Sequence, residues 1–155
     1  MAQDAVTYRG VVYPWCCDHM GHMNVMWYVG KFDEATWQLC SLLGLTPTYL
    51  RERGRLMVAV DQCISYRREL HAGDVVSVDS ATIQVRTSSL RFVHRMRSAE
   101  TGVLAALSVL TGVHLDAVTR KSCPLPEEAR TAAQAALVSD PDLWSGWPLP
   151  ASLLE

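Results

Sequence analysis

Near the start of the chain Val6, Tyr8, Gly10 and Val12 alternate with Thr7, Arg9, Val11 and Tyr13, the two-residue period of a strand with one inward face. Pro14 ends that run. From Met26 to Leu43 the period lengthens: Val29, Phe32, Thr36, Leu39, Cys40 and Leu43 recur at three- and four-residue steps, with Lys31, Asp33, Glu34 and Gln38 on other faces. This spacing predicts a helix of about four turns, closed by Gly44. Thr46-Pro47 opens a short second helix with a capping residue ahead of proline, and Gly54 ends it. Four long runs follow, Leu56 to Tyr66, Asp74 to Val85, Leu90 to Ser98 and Val103 to Leu115. Their Val, Ile and Leu content and the turn residues between them predict antiparallel strands. An Ala-rich helical stretch from Glu127 to Leu137 precedes a tail with Trp144, Trp147, Pro148 and Pro150. One strand, one long helix and four strands predict an α+β domain whose curved antiparallel sheet buries its concave face on the helix.

Composition narrows the function classes. A chain of 155 residues, 49% hydrophobic and 19% charged, holds one domain with a core that needs no disulfides or metals. Its net charge of −2 supplies no field to gather nucleic acid or an anionic membrane. Lys31 and Lys121 are the only lysines, so the basic side chains are arginines, the better bidentate partners for phosphate. Five cysteines, two of them adjacent, do not form a disulfide framework and fit a reducing cytoplasm. The N-terminus does not read as a signal peptide, and the apolar run at 103–115 is shorter than the roughly 20 residues a membrane helix needs.

The segment between the first strand and the long helix is Trp15-Cys16-Cys17-Asp18-His19-Met20-Gly21-His22-Met23-Asn24-Val25. A carboxylate ahead of a helix N-terminus is held ionised by the positive end of the dipole, and free N–H groups beside it can receive a second negative charge. Carboxylate plus oxyanion donors is an arrangement for acyl transfer. The ordinary reading of Asp18 is a capping or Asx-turn aspartate, and Asn24 is equally a helix cap. Cys16, Cys17, His19 and His22 are metal-ligating types, but adjacent cysteines point apart and no CxxC or HxxxH spacing exists, so no metal site is expected. Cys17 with His22 as base is a further possible nucleophile, set against cysteines that pack as small hydrophobes.

Asp18-x-x-Gly21-His22-Met23-Asn24, with Tyr28, Phe32, Asp33, Glu34 and Ala35 on the following helix, resembles the signature of hotdog-fold acyl-CoA thioesterases of the 4-hydroxybenzoyl-CoA thioesterase type. The segment from Tyr66 to Asp74 resembles the family's lead into its third strand, and Cys123-Pro124-Leu125-Pro126 its exit from the last. The resemblance covers residues 6–128. It implies a five-stranded antiparallel sheet wrapped around a long central helix, within a hotdog domain at 1–128 followed by a C-terminal helix and Trp/Pro-rich tail at 129–155. It implies hydrolysis of an acyl-CoA thioester to free acid and CoA. Asp18 takes the position of the catalytic aspartate, as nucleophile or general base, and the Val25 main-chain N–H that of the oxyanion donor. Coenzyme A enters as part of the substrate, without another cofactor, and a homodimer or homotetramer is implied.

Around that pair, His22 and Asn24 are the supporting candidates, His22 as a side chain that orients the loop or as a proton carrier. Tyr28 is a core aromatic with a bonded hydroxyl or a substrate contact. Arg91, Val93, Arg95 and Arg97 share one face of their strand and Leu90, Phe92, His94 and Met96 the other. Arg91 and Arg95 are therefore either residues of a solvated face with cross-strand carboxylates or ligands of the CoA phosphates, and Ser89 either a turn residue or part of the site's mouth. His94 reads as a satisfied core histidine, and Met20, Met23, Met26, Trp27 and Trp37 as the residues that shape the acyl pocket. Two other readings remain: a hydratase or dehydratase on the same scaffold, using a His with an acidic partner, and an acyl-CoA binding module without turnover.

Overall fold

The long apolar runs between residues 55 and 116 form four strands, which join the N-terminal strand in one antiparallel sheet. The computed structural model describes residues 5–138. Its elements are β1 (Ala5–Val11), α1 (Val25–Leu42), α2 (Pro47–Glu52), β2 (Arg55–Tyr66), β3 (Val75–Val85), β4 (Ser89–Ser98), β5 (Leu104–Asp116) and α3 (Glu127–Ala135), with a 3-10 turn at Pro14–Cys16. The sheet order is β1-β3-β4-β5-β2, antiparallel throughout. The α+β class and five antiparallel strands match the sequence pattern, while α1 is a helix of 18 residues. The tail with Trp144, Trp147, Pro148 and Pro150 lies outside the described residues.

Local chemistry sets the helix ends. Gly44 adopts φ +86, a conformation costly for other residues, and there α1 stops. Thr46 accepts the Tyr49 N–H at 3.1 Å and Pro47 fills the first helical position of α2, as a cap followed by proline requires. One face of α1 lies on the sheet in two stretches. Tyr28, Phe32 and Ala35 pack with Val76, Val78, Met96 and Ala106, whereas Leu39, Cys40 and Leu43 pack with Leu90, Phe92 and Leu110 and with Ala129 and Ala133 of α3. The N-terminal half of the helix is thus far along the sheet from residues 90–92.

Three faces differ from the alternation read along the chain. In β1 the register slips between Val6 and Tyr8, so Thr7 is buried and bonds Ser80, while Val6 faces solvent. A bulge inserts one unpaired residue and reverses the pattern on one side of it. The same bulge turns Tyr8 toward α1, where its hydroxyl accepts from the Lys31 ammonium at 2.8 Å. Lys31, expected on a polar face, is therefore buried. Gly10 leaves room for this, since a Cβ there would lie 2.2 Å from the Tyr8 hydroxyl. Finally, the face of β4 away from α1 is not solvated: Arg91, Val93 and Arg95 are buried. Val93 joins Ala81, Leu107 and Val109 in an apolar cluster, and Arg95 pairs with its cross-strand neighbour Asp79. Long arginine stems bury well against such apolar neighbours.

His94 stands fully buried on the α1 side of β4. Its Nδ1 meets Ser80 and its Nε2 lies 3.0 Å from the Thr36 hydroxyl, which donates to the Phe32 carbonyl. With that hydroxyl proton committed, Nε2 carries the imidazole proton and Nδ1 accepts from Ser80. Burial pushes the imidazole down to about 3 from 6.5. Above 6.5 neither folded nor unfolded chain is protonated there; below it the unfolded chain takes up a proton that the folded one refuses. Stability is therefore unaffected above pH 6.5 and falls as pH drops from 6.5 toward 3, by about 1.4 kcal/mol per pH unit. Between pH 7 and 5 urea unfolding should show a stability loss about 2 kcal/mol smaller in His94→Gln than in the wild type. Parallel curves for the two proteins would contradict this assignment.

Candidate active site

Asn24 has extended backbone angles and its side-chain Oδ1 accepts the Met26 N–H at 3.0 Å, which makes it the N-cap of α1. The Trp27 N–H bonds the Asn24 carbonyl at 3.0 Å. Among the described residues, the Val25 N–H meets no acceptor. It belongs to the group of helix-start donors that lack an intrahelical partner, at the positive end of the helix dipole. Val25 itself is 55% exposed and lines a cleft.

The other end of the Asn24 amide holds Asp18. Asn24 Nδ2 donates to Asp18 Oδ2 at 2.8 Å, and the Met20 N–H donates to Asp18 Oδ1 at 2.9 Å. These two bonds, the Met20 one foremost, lower the Asp18 pKa below its ordinary value; His22 and His19 add to the effect, and partial desolvation opposes it. A carboxylate stabilised by donors to its charged form stays ionised. Each oxygen retains lone pairs beyond the one bond it accepts.

The loop that carries Asp18 is stitched on both sides. The Asn24 N–H bonds the Cys16 carbonyl at 2.9 Å, the Asp18 N–H bonds the His22 carbonyl at 3.2 Å, and the Met23 N–H bonds Leu70 in the β2–β3 connection at 2.7 Å. Met23 is buried in the core, whereas Met20 and Met26 are exposed. Beside the Val25 N–H opens a cleft of about 350 Å³, with His22, Met23, Val25 and Tyr28 on one wall and Tyr66, Arg67, Arg68 and Glu69 on the other. Two larger clefts of about 520 Å³ lie elsewhere, between β1 and α1 and between α2 and β2, and neither includes Val25, while Asp18 lines none of the three. Trp37 lines the second of these. Of these three clefts the smallest is the one lined by Val25, next in the chain to the Asn24 that holds Asp18.

The structure bonds Asp18 to Asn24 and sets Val25, His22 and Tyr28 around the cleft. The His22 ring faces Glu69, with Nε2 3.8 Å from Oε1; Asn24 rather than the imidazole orients Asp18. Tyr28 is 4% exposed, contacts the Tyr66 ring edge-on and points its hydroxyl at the Arg68 carbonyl, 3.4 Å away. Burial, with Tyr66 and Glu69 nearby, pushes its pKa to about 12, so it remains a donor. Ser89, Arg91 and Arg95 are not at this cleft. Ser89 begins β4 opposite Val113, Arg91 lies between Leu90 and Phe92 at the far half of α1, and Arg91 and Arg95 are buried on the opposite sheet face. Sequence reasoning missed Arg67, Arg68 and Glu69 as wall residues; their signal was an exposed Arg-Arg-Glu run directly after a strand. Among the described residues, no three His, Cys, Asp or Glu side chains converge as a metal ion would need.

Residues 12–134 match the thioesterase-like superfamily. The chain therefore belongs to that family of hotdog thioesterases. No curated protein matches it. Among solved structures, the hypothetical protein SAV2348 from Staphylococcus aureus, determined in complex with CoA, is similar with TM-score 0.80 and 19% identity over 88% of this chain and 89% of that one. Slr0204, a 1,4-dihydroxy-2-naphthoyl-CoA thioesterase from Synechocystis, is similar with TM-score 0.74 and 23% identity over 83% and 95%. YbaW, a probable thioesterase from Escherichia coli, gives TM-score 0.72 and 21% identity over 86% and 100%.

Asn24→Ala removes the cap and one of the two Asp18 anchors together. Urea unfolding should show a loss of about 1 kcal/mol, largely restored in Asn24→Ser, which keeps a capping oxygen. An Asn24→Ala midpoint equal to the wild type would mean that the amide does not cap α1.

Proposed function

We propose that this chain is an acyl-CoA thioesterase that releases a free acid and CoA. The observation that carries the reading is an Asp18 carboxylate held ionised by Asn24, the helix cap whose next residue, Val25, lines a cleft with a main-chain N–H that meets no acceptor among the described residues. Asp18 would attack the thioester carbonyl carbon, and the Val25 N–H would receive the negative charge that develops on its oxygen. The C–S bond then breaks, CoA leaves as a thiolate that takes a proton from solvent, and water hydrolyses the mixed anhydride to regenerate the carboxylate. A lowered pKa keeps Asp18 ionised at neutral pH, as both attack on the carbonyl and activation of a water require. The acyl transfer draws on no metal or redox cofactor.

Arg67 and Arg68, exposed on the cleft wall, are the arginines that we assign to the CoA phosphates in place of Arg91 and Arg95. A homodimer or homotetramer suits the surfaces. The outer edge of β2 pairs with no strand among the described residues, and Val25, Met26 and Val29 leave apolar area exposed along α1. Unpaired strand edges of this kind are commonly closed by a second chain. One observation favours a second reading: His22 and Glu69 form the imidazole–carboxylate pair that a hydratase would use, with His22 moving the proton.

Thiol release from short, medium, long and aromatic acyl-CoAs tests the proposal, and at least one ester should turn over. Replacing both Arg67 and Arg68 by Ala should raise KM about tenfold or more with kcat nearly unchanged, because two charge-assisted phosphate contacts are lost. Binding of CoA esters without thiol release from any would overturn the thioesterase reading, and hydration of an enoyl ester would establish the second one.

A further inference from the structure

The sheet face turned away from α1 is buried, although the helices pack elsewhere. α1, α2 and α3 all join the clusters on the other face, through Phe32 and Leu39, through Tyr49, and through Ala129 and Ala133. On the far face Ala81 of β3, Val93 of β4 and Leu107 and Val109 of β5 form one buried apolar cluster. Arg91 and Arg95 flank Val93 along β4 and are buried with it. Among the described residues, the partly buried apolar side chains packed on this cluster are Ile83 and Val138. Both stand at β3, one within it and the other bonded to Thr82. Burial across β4 and β5 requires a cover that extends beyond those two.

Residues 136–138 show where such a cover begins. The Thr82 N–H donates to the Ala136 carbonyl at 3.3 Å, the Val138 N–H donates to the Thr82 carbonyl at 3.0 Å, and Leu137 pairs with Thr82 in parallel register. β1 pairs with β3 only as far as Ser80, so the chain takes over that edge where β1 stops. It arrives with Val138 on the apolar cluster, and residues 139–155, outside the described residues, follow from there. At about 3.3 Å per extended residue and about 4.8 Å between strands, two residues suffice to pass from β3 to β4 and four to reach β5. Asp140 and Asp142 follow Val138 by those separations.

The chemistry of the two sides is complementary. β4 turns Arg91, Arg95 and Arg97 to this face, opposite the single carboxylate of Asp79 on β3, which pairs with both Arg95 and Arg97. Residues 139–155 carry Asp140, Asp142 and Glu155 and neither Lys nor Arg, together with Leu143, Trp144 and Trp147. Carboxylates form short, charge-assisted hydrogen bonds to guanidinium groups, and indole rings bring large apolar area to a cluster of Val and Leu.

We propose that residues 139–155 are the partner of this face: they cross β3, β4 and β5, set Asp140 and Asp142 against the β4 arginines and cover the Val93 cluster with Trp144. The basic strand that could have held CoA phosphates is thereby committed to an acidic segment of the same chain. This docking is independent of the chemistry at Asp18.

The test replaces Trp144 in the full chain by the photo-crosslinking residue p-benzoylphenylalanine, with folding matched to the wild type by circular dichroism. After irradiation the adducts are sized on a denaturing gel and mapped by peptide mass. They should join Trp144's position to residues 81–109 within one chain, at monomer mass, and vanish in urea. Adding Asp140→Asn and Asp142→Asn should lower their yield at least about threefold, because charge-assisted contacts are lost. The same probe in place of Trp147 gives a second reading should the first variant fail to fold. Adducts that join two chains overturn the proposal by giving the face to a second copy. Adducts confined to other parts of the chain, a yield no higher than in urea, or a yield unchanged by the two Asn substitutions also overturn it.

Discussion

The Asn24 side-chain amide is the bond on which the candidate site depends. Its oxygen closes the first turn of α1, and its nitrogen holds the Asp18 carboxylate. Because the cap uses the Met26 N–H, the Val25 N–H is left to face outward from the same turn. The Asp18 charge and the helix start that carries the Val25 N–H are therefore tied to each other by one planar group of about four heavy atoms.

That amide holds its position because the loop is clamped by elements distant in sequence. Residues 16–24 lie between the 3-10 turn and the β2–β3 connection, tied by Asn24 to Cys16 and by Met23 to Leu70. The sheet order makes this possible. β1 leads into the loop from one edge and β2 leads into residues 67–70 from the other, so α1 starts between the two edge strands' exits. The buried anchors Met23 and Tyr28 convert core packing into placement of the cleft walls. An acidic group kept ionised, a free donor and basic side chains opposite are thus consequences of the fold's edges meeting at one helix terminus.

Much of this was legible in the residues. Strand and helix bounds fell within a few positions because period, turn residues and caps agreed with one another, as at Thr46-Pro47 and Gly44. Asp18 and Asn24 stood out as polar side chains at a helix start. Periodicity says which residues share a face, but not what covers that face. Burial of Arg91 and Arg95 was not legible because Val93 alone gives no sign of the apolar cluster that Ala81, Leu107 and Val109 build around it from β3 and β5. The slip at Thr7 and the burial of Lys31 follow from a bulge, a register property that alternation cannot announce. Arg67 and Arg68 became wall residues only once Leu70 was bonded to Met23.

The central claim is that the Asp18 carboxylate performs the acyl transfer, and one comparison tests it most directly. Thiol release from the best acyl-CoA should be measured for the wild type and for Asp18→Asn, with folding and oligomeric state matched. A fall of about a hundredfold or more in kcat, a loss of about 2.7 kcal/mol of transition-state stabilisation, is the predicted result. Turnover by the folded Asp18→Asn chain within a few-fold of the wild type would contradict the account.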